Sequence, residues 1–291
     1  MEINGKTKIC GLIGNPVEHT LSPMIHNTLA KLTGHNLVYV PLPVEPDKLP
    51  QAVAGAEALQ LLGLNVTVPY KSEVIGNLQE IDELAQNIGA VNTLVRTKGG
   101  YKGYNTDMEG LYRAMTGEGI RIAGEKIILL GAGGAARAVA YLCAVKGAAQ
   151  VYMLNRTYDK AALVAREVNH IAGREVIVPM AAQDYDRIPD GRYLAIQGTS
   201  VGLAPHTEEV VIDAPDFYEK IHTGFDLIYN PWDTKFMRLV RAHGGEAYNG
   251  LKMLLYQGII AYELWNDIQV SEEDAQIIYT KLKEQFAGTD M

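Results

Sequence analysis

Three small residues, Gly131, Gly133 and Ala136, have the spacing G-x-G-x-x-G/A directly after an apolar run over residues 127–130. The run predicts a short buried strand, and the alanine-rich stretch after it predicts a helix. In such a unit the small residues allow a tight turn, a close approach of the backbone to a pyrophosphate, and close packing of helix on strand. The free N–H groups at the helix N-terminus favour phosphate. The pattern therefore predicts dinucleotide binding, and a glycine-rich turn without a ligand is the alternative.

The end of the next predicted strand, over residues 150–154, indicates which dinucleotide would bind. An NAD-binding unit normally has Asp or Glu there, about 20 residues after the glycines, for the ribose 2′-hydroxyl. This chain has Asn155, Arg156 and Thr157 instead, and Lys160 follows one turn later. Because a guanidinium offers a rigid fork of donors to a phosphate, the segment favours NADP. A solvated arginine in an ordinary loop is the alternative.

Polar residues near the N-terminus could contact a small anionic ligand. Ser22 and Pro23 fit the N-cap and the first position of a helix. Thr20 and Ser22 could also turn two hydroxyls toward an anion at that helix end.

Lys71 directly precedes a predicted helix over 72–87, and the N-terminal end of a helix is where a cation is disfavoured. That misfit favours an anion or substrate as the partner of Lys71, with a solvated lysine as the alternative.

Two amides and two other polar residues are further candidates. Asn92, in a predicted strand over 89–95, and Gln257 lie in apolar runs, and a buried amide needs partners from a ligand or from the protein. Asp107 begins a predicted helix, where an acid is favourable in any case. Tyr229 follows a predicted strand, at the edge where ligands bind in open α/β sheets.

The elements that must position these residues alternate between strand and helix. Strands are predicted near residues 127, 150, 174, 193 and 225, with helical patterns between them. This alternation predicts a doubly wound parallel sheet. We expect an α/β protein of two domains, with an α/β substrate domain over 1–106 and a Rossmann domain over 107–250. The C-terminal helices, over 251–291, would return to the first domain, which would place the catalytic cleft between the domains.

Composition and charge exclude several classes of protein. With 47% hydrophobic and 21% charged residues, a chain of 291 residues can bury a sizeable core. The net charge of −8 argues against nucleic acid as a partner, and no basic run indicates a membrane surface. We expect no membrane span and no secretory leader. Cys10 and Cys143, in apolar surroundings, are expected to be free thiols in a reducing cytoplasm.

The polar blocks of the chain, taken in order, closely resemble the shikimate dehydrogenase family, which includes quinate/shikimate dehydrogenases. The matching blocks are residues 14–23 with His26 and Asn27, 65–71, 89–93, 103–107, 131–135, 155–157, 199–202, 229–231, and 250–253 with Gln257. They follow the family's order over almost the whole chain, which makes the resemblance specific. It implies reversible reduction of 3-dehydroshikimate to shikimate by NADPH, in aromatic amino acid biosynthesis.

The resemblance also implies a role for each matching residue. Lys71 and Asp107 would be the catalytic acid–base pair beside the hydroxyl that is oxidised. The other substrate contacts would be Thr20, Ser22, Thr67, Asn92, Tyr229 and Gln257. The cofactor contacts would be Glu83, Gly131, Ala132, Gly133, Gly134, Ala135, Asn155, Arg156, Thr157, Lys160, Thr199, Leu227 and Gly250. Because the nicotinamide performs the redox step itself, no metal is required.

Two residues depart from the family's pattern. Thr20 stands where the family usually has Ser, and its extra methyl group could change the acceptance of quinate. Lys160 stands where many NADP-specific members have Arg, so the grip on the 2′-phosphate could be looser. The alternatives are a quinate/shikimate dehydrogenase with relaxed substrate or NAD use, and a non-catalytic NADP-binding regulator. The presence of both Lys71 and Asp107 argues against the regulator, and we expect a monomer or homodimer.

Overall fold

The computed structural model describes residues 2–286, and the chain forms two compact units. Unit 1 consists of Met1–Arg113 and Leu254–Met291, and unit 2 consists of Ala114–Met253. The chain therefore leaves unit 1 once and returns to it. Among residues 2–286, none of the helices combines the length and the hydropathy that a membrane span requires. Cys10 and Cys143 are buried free thiols, as the sequence predicts.

The secondary structure follows the alternation expected for an α/β protein. The strands are β1 (Lys8–Gly14), β2 (Leu37–Pro43), β3 (Gly63–Val66), β4 (Glu80–Ile81), β5 (Thr93–Thr97), β6 (Gly100–Tyr104), β7 (Lys126–Leu130), β8 (Gln150–Asn155), β9 (Ile177–Ala181), β10 (Tyr193–Gln197), β11 (Ile221–Asp226) and β12 (Glu246–Tyr248). The α-helices are α1 (Ser22–Leu32), α2 (Leu49–Ala58), α3 (Glu83–Ile88), α4 (Thr106–Gly117), α5 (Gly134–Val145), α6 (Tyr158–Ala172), α7 (Pro215–Glu219), α8 (Lys235–Ala242), α9 (Leu251–Asn266) and α10 (Glu272–Phe286).

Unit 1 is built on a mixed sheet of six strands in the order β2-β1-β3-β5-β6-β4. β1 is parallel to β2 and β3, whereas β5 is antiparallel to β3 and β6. Because alternate strand residues face opposite sides of a sheet, Leu64 and Val66 of β3 enter a core cluster with Tyr70 and Tyr101. Asn65, between them, faces the other side, where its Oδ1 accepts a hydrogen bond from the hydroxyl of Tyr39 at 2.8 Å.

Unit 2 is built on a parallel sheet of six strands in the order β12-β11-β10-β7-β8-β9. Counted from the first strand of the unit, this order is 3-2-1-4-5-6 reversed, which is the doubly wound arrangement that the sequence predicts. Residues 127–130 of β7 are at most 1% exposed, because helices cover both faces of such a sheet. The strand order reverses between β7 and β10, the crevice where nucleotides bind in this architecture.

The helix predicted over 72–87 is wrong. The segment instead forms a 3-10 helix over Glu73–Asn77, the short strand β4, and then α3. β4 pairs in parallel with β6, which gives its backbone partners that a helix would have supplied locally. The Asp82 carboxylate accepts a hydrogen bond from the Leu84 N–H at 3.1 Å and so caps the start of α3.

The predicted N-cap of α1 is also wrong, because Ser22 is the first residue of the helix and Leu21 occupies the cap position. The side chain that binds the helix end is that of Thr20, whose hydroxyl accepts a hydrogen bond from the Ser22 N–H at 3.2 Å. A smaller correction concerns the strand predicted near 174, since β9 begins only at Ile177. Gly173, with a φ of 64°, ends α6, and the amide oxygen of Asn169 binds the N–H groups that lead into β9.

Candidate active site

Four segments that carry predicted site residues meet at one edge of the unit 1 sheet. β1 and β3 are parallel and in register, so the loop toward Thr20 and the loop that contains Lys71 leave the sheet at the same edge. β5 runs the other way and begins at this edge, directly after Asn92. β6 is antiparallel to β5 and ends there, just before Asp107. The topology therefore gathers residues from four distant parts of the sequence.

The loops after β1 and β3 are tied to each other. The Thr67 N–H donates to the carbonyl oxygen of Ile13 at 2.9 Å, and the Asn15 N–H donates to the carbonyl oxygen of Val68 at 3.1 Å. Gly14 has no side chain, and a Cβ there would overlap the methyl group of Thr67. Thr67 can therefore pack directly on the backbone of β1, which fixes its hydroxyl at the sheet edge.

Lys71 and Asp107 form an ion pair at this edge. The Lys71 Nζ donates to the Asp107 Oδ2 at 2.7 Å, although the two residues are 36 positions apart. Their side chains remain 35% and 23% exposed, so both groups can reach a ligand. An ammonium held by a carboxylate in a charge-assisted hydrogen bond can give a proton at a defined position, and the amine that remains can take it back there.

The segment Ala90–Asn92 holds the backbone of both partners. The Val91 N–H donates to the carbonyl oxygen of Lys71 at 2.7 Å. Asn105 donates through Nδ2 to the carbonyl oxygen of Ala90 at 3.0 Å, and its Oδ1 accepts from the Asp107 N–H at 3.1 Å. Asn105 therefore caps α4 and positions Asp107, a role that we did not predict. An Asn directly before a predicted helix is the signal that could have revealed it.

Asn92 is 3% exposed and is pinned by the start of α4. Its Oδ1 accepts from the Thr106 N–H at 2.7 Å and from the Thr93 hydroxyl at 3.1 Å. Its Nδ2 donates to the Thr106 hydroxyl at 3.0 Å. These hydrogen bonds within the protein thus occupy the side-chain oxygen of Asn92 and one of its two side-chain N–H groups.

Gln257 lies where α9 crosses α4. A Cβ at Gly110 would stand 2.7 Å from the backbone nitrogen of Gln257, so the two helices touch at this glycine. Gly110 follows Asp107 by three residues and shares its face of α4. Gln257 is half-buried, and its Nε2 donates to the carbonyl oxygen of Leu254 at 2.9 Å. Gln257 is therefore placed beside the helical turn that carries Asp107.

The glycine-rich loop of unit 2 has the geometry of a phosphate cradle. Gly131 adopts a φ of 109°, and a Cβ there would be 2.7 Å from the methyl carbon of Thr199. Gly133 and Gly134, by contrast, face open space at the start of α5. That helix has no side-chain cap and no acid in its first turn, so its N–H groups can receive an anion. The third small residue, Ala136, packs against Gly198.

The end of β8 presents two cations. Arg156 and Lys160 are exposed, and neither side chain makes a hydrogen bond or ion pair within the described part of the chain. The loop itself is fixed, because Asn155 Nδ2 donates to the carbonyl oxygen of Thr157 at 2.8 Å. No carboxylate stands at the strand end, and the arrangement suits a phosphate better than a ribose 2′-hydroxyl.

The remaining cofactor candidates of unit 2 lie at the ends of β10, β11 and β12. Leu227 donates its N–H to the carbonyl oxygen of Gln197 at 3.0 Å, and its own carbonyl lies against Gly250, where a Cβ would overlap it. Thr199 follows β10 and touches Gly131 through its methyl group. These residues and the glycine-rich loop share the carboxyl edge of one parallel sheet.

Two predicted site residues lie in a different unit from the rest of their group. Tyr229, a predicted substrate contact, is in unit 2, whereas the other substrate candidates are in unit 1. Burial raises the pKa of its hydroxyl above the ordinary value. Glu83, a predicted cofactor contact, is in unit 1 and is exposed in the first turn of α3.

Comparison with known proteins matches two segments of the chain to models of one family. Residues 12–94 match the family model "Shikimate dehydrogenase substrate binding domain", and residues 114–180 match "Shikimate / quinate 5-dehydrogenase". A shikimate dehydrogenase (NADP(+)) of Carboxydothermus hydrogenoformans is 40% identical over 92% of this chain and 95% of its own.

Solved structures agree with this assignment. The crystal structure of a shikimate dehydrogenase in complex with NADP+ is similar with a TM-score of 0.88, at 36% identity and 98% coverage of both chains. A shikimate 5-dehydrogenase of Listeria monocytogenes, in complex with shikimate and NAD, gives the same TM-score at 28% identity, with 98% of both chains covered.

Proposed function

The chain belongs to the shikimate dehydrogenase family, and on that premise we propose that it catalyses the reversible, NADP-dependent interconversion of shikimate and 3-dehydroshikimate. The observation that carries the proposal is the Lys71–Asp107 pair at 2.7 Å, held at a sheet edge together with hydroxyl and amide side chains. We assign unit 1 to the substrate and unit 2 to the cofactor. This reaction belongs to the biosynthesis of aromatic amino acids.

Lys71 is the proton carrier in this proposal. During reduction, its ammonium donates a proton to the carbonyl oxygen of the substrate as that oxygen becomes a hydroxyl. During oxidation, the amine takes the same proton back. Asp107 accepts a hydrogen bond from the Lys71 ammonium and thereby orients its nitrogen toward the substrate oxygen. NADP, when bound, supplies the hydride chemistry.

The other unit 1 candidates bind and orient the substrate. Thr20 and Ser22 stand at the start of α1, where hydroxyls and the helix dipole together favour the carboxylate of shikimate. Thr67, Asn92 and Gln257 then contact the ring hydroxyls, for which their hydroxyl and amide groups are suitable donors and acceptors. Tyr229 is also a proposed substrate contact.

The decisive test of this mechanism is a kinetic comparison of Lys71 variants. Lys71→Ala should lower kcat by roughly 10²–10⁴ with a smaller change in the KM for shikimate, because general acid–base catalysis contributes about that much. Asp107→Asn should also lose most of the activity. Lys98→Ala, which removes an exposed lysine from the β5–β6 turn, is the matched control. A raised KM with an intact kcat would make Lys71 a binding residue and refute the mechanism.

We propose NADP over NAD because Arg156 and Lys160 stand where an NAD enzyme would place a carboxylate. A charged hydrogen bond contributes about 1.5–3 kcal/mol, which corresponds to a preference of roughly ten- to over a hundredfold. Arg156→Ala should therefore raise the KM for NADP and leave the NAD kinetics nearly unchanged, whereas Arg166→Ala, an exposed arginine on the helix α6 that follows Arg156, should affect neither. Equal use of both cofactors by the wild type would refute the assignment.

We also propose a substrate range, an oligomeric state and a cellular location for the protein. The alternative function is a quinate/shikimate dehydrogenase with relaxed substrate or NAD use. An absorbance assay at the nicotinamide band that crosses shikimate and quinate with NADP and NAD separates the two. We expect a cytoplasmic monomer or homodimer, and light scattering of the purified protein would determine its oligomeric state.

A further inference from the structure

A fully buried carboxylate lies beneath the cofactor edge of unit 2. Asp226 is the last residue of β11 and is 0% exposed. Its Oδ1 accepts from the Ile228 N–H at 3.0 Å, and its Oδ2 accepts from the Thr234 hydroxyl at 2.7 Å. Gln197 Nε2 donates to it at 3.4 Å. Burial raises the pKa of Asp226 to about 6, while the hydrogen bonds from Thr234 and Ile228 act in the opposite direction.

Gln197 extends this network to the end of β10. Its side chain is 2% exposed, and its Oε1 accepts from both the N–H and the hydroxyl of Thr199, at 2.6 and 2.7 Å. Its Nε2 also donates to the carbonyl oxygen of Val201 at 3.1 Å. Thr199 is thereby held in one orientation, with its methyl group against the position where Gly131 has no side chain.

The same network reaches β12. Ile228, whose N–H binds Asp226, accepts a hydrogen bond on its carbonyl oxygen from the Gly250 N–H at 3.0 Å. Leu227, between Asp226 and Ile228, has its carbonyl against Gly250. The buried carboxylate thus connects three strand ends, and each end carries one of the proposed cofactor contacts Thr199, Leu227 and Gly250.

We propose that Asp226, Gln197 and Thr234 are positioning residues that fix the ends of β10, β11 and β12 in the arrangement that binds NADP. The inference rests on the proposed function, which assigns Thr199, Leu227 and Gly250 to the cofactor. A binding surface that is ordered before the ligand arrives loses less conformational entropy on binding.

The chemistry of the carboxylate favours this role over a purely structural one. Burying a charge without a cation is costly, and within the described residues Asp226 has no cationic partner. An apolar side chain of similar size would fill the space at lower cost. An ionised carboxylate accepts hydrogen bonds from an amide, a hydroxyl and a backbone N–H together and brings no donor of its own. What Asp226 contributes is therefore the fixed geometry of those three donors.

The test compares variants of the network for cofactor affinity and stability. Asp226→Asn turns one acceptor oxygen into an N–H₂ group that faces donors, and Thr234→Val removes one donor. Thr234→Ser keeps that hydroxyl and is the conservative rescue. Glu219→Gln, which removes an exposed carboxylate at the end of α7 on the same unit, is the outer control. The affinity for NADPH is measured by fluorescence titration, the affinity for shikimate by calorimetry on the free protein, and the thermal midpoint by circular dichroism.

We expect Asp226→Asn and Thr234→Val to weaken NADPH binding by about tenfold or more, because small displacements of positioned groups have effects of that size. Thr234→Ser should restore the affinity, and shikimate binding should be unchanged in every variant. Unchanged NADPH affinity in folded Thr234→Val, whatever its thermal midpoint, would overturn the inference. Since Thr234→Val retains the carboxylate, it decides the question even where Asp226→Asn does not fold. A wild type that binds NADPH but does not oxidise shikimate would refute the proposed function alone, and one that does not bind NADPH would refute both.

Discussion

The surroundings of His26 lead us to predict that the folded protein loses stability as the pH falls, and they give the size of that loss. The ring is 0% exposed and stacks on Tyr39, with 4.2 Å between the ring centroids. Neither ring nitrogen has a hydrogen-bond partner within the described residues. Burial lowers the pKa of His26 from 6.5 to about 3. The histidine is therefore neutral in the folded protein at every pH at which the enzyme would work.

The sign of the effect follows from proton binding. Below pH 6.5 the unfolded chain binds a proton at this position, and the folded protein does not bind one until the pH reaches about 3. The unfolded state thus holds more protons, so stability falls as the pH falls through this window. Between pH 7 and pH 5 the loss from His26 alone is about 2 kcal/mol, and the full difference in pKa corresponds to about 5 kcal/mol.

The assay compares wild type with His26→Phe, which keeps an aromatic ring against Tyr39 and cannot be protonated. Urea unfolding at pH 7, 6 and 5, followed by circular dichroism, gives the free energy of unfolding of each protein. The difference between the two proteins removes the contribution of all other groups, including Asp226, whose raised pKa acts in the opposite direction. His206→Gln, an exposed histidine, is the control. Parallel losses of stability in wild type and His26→Phe would refute the reasoning.

Three further predictions concern substrate choice, the proposed catalytic pair and the proposed cofactor contacts. Thr20→Ser should shift the ratio of kcat/KM for shikimate over quinate toward shikimate, within the roughly 10–200-fold that one small group can discriminate; an unchanged ratio would remove Thr20 from the explanation. Asn105→Ala should lower kcat about tenfold and stability by about 1 kcal/mol, because α4 loses its cap. Asn105→Ser, which keeps a cap acceptor without setting a carboxylate against the Ala90 carbonyl oxygen, should recover part of the stability in thermal unfolding, and equal midpoints for the two variants would count against the cap. Gly250→Ala should weaken NADPH binding in a fluorescence titration, because its methyl group would overlap the Leu227 carbonyl, whereas Gly55→Ala, which faces open space, should not.

The sequence alone determined those features whose physical cause is local. The spacing of Gly131, Gly133 and Ala136 by itself predicts a dinucleotide-binding turn, because a tight turn and a close helix approach require small residues at those positions. The apolar run over 127–130 can only be buried, and the alternation after it predicts the doubly wound sheet that the structure confirms. The order of the polar blocks was sufficient to identify the family.

The tertiary structure decided everything that depends on partners distant in sequence. Lys71 and Asp107 meet only because β3, β5 and β6 place their ends at one edge, and Asn92 is committed to α4 by the same geometry. The helix predicted over 72–87 gave way to β4, because pairing with β6 outweighs a local helical preference. The buried state of Asp226 could not be predicted from the sequence, since an acidic residue at a strand end is usually solvated. In the structure, three strand ends surround it. Local spacing constrains neighbours along the chain, but hydrogen-bond partners and burial are properties of the assembled sheet.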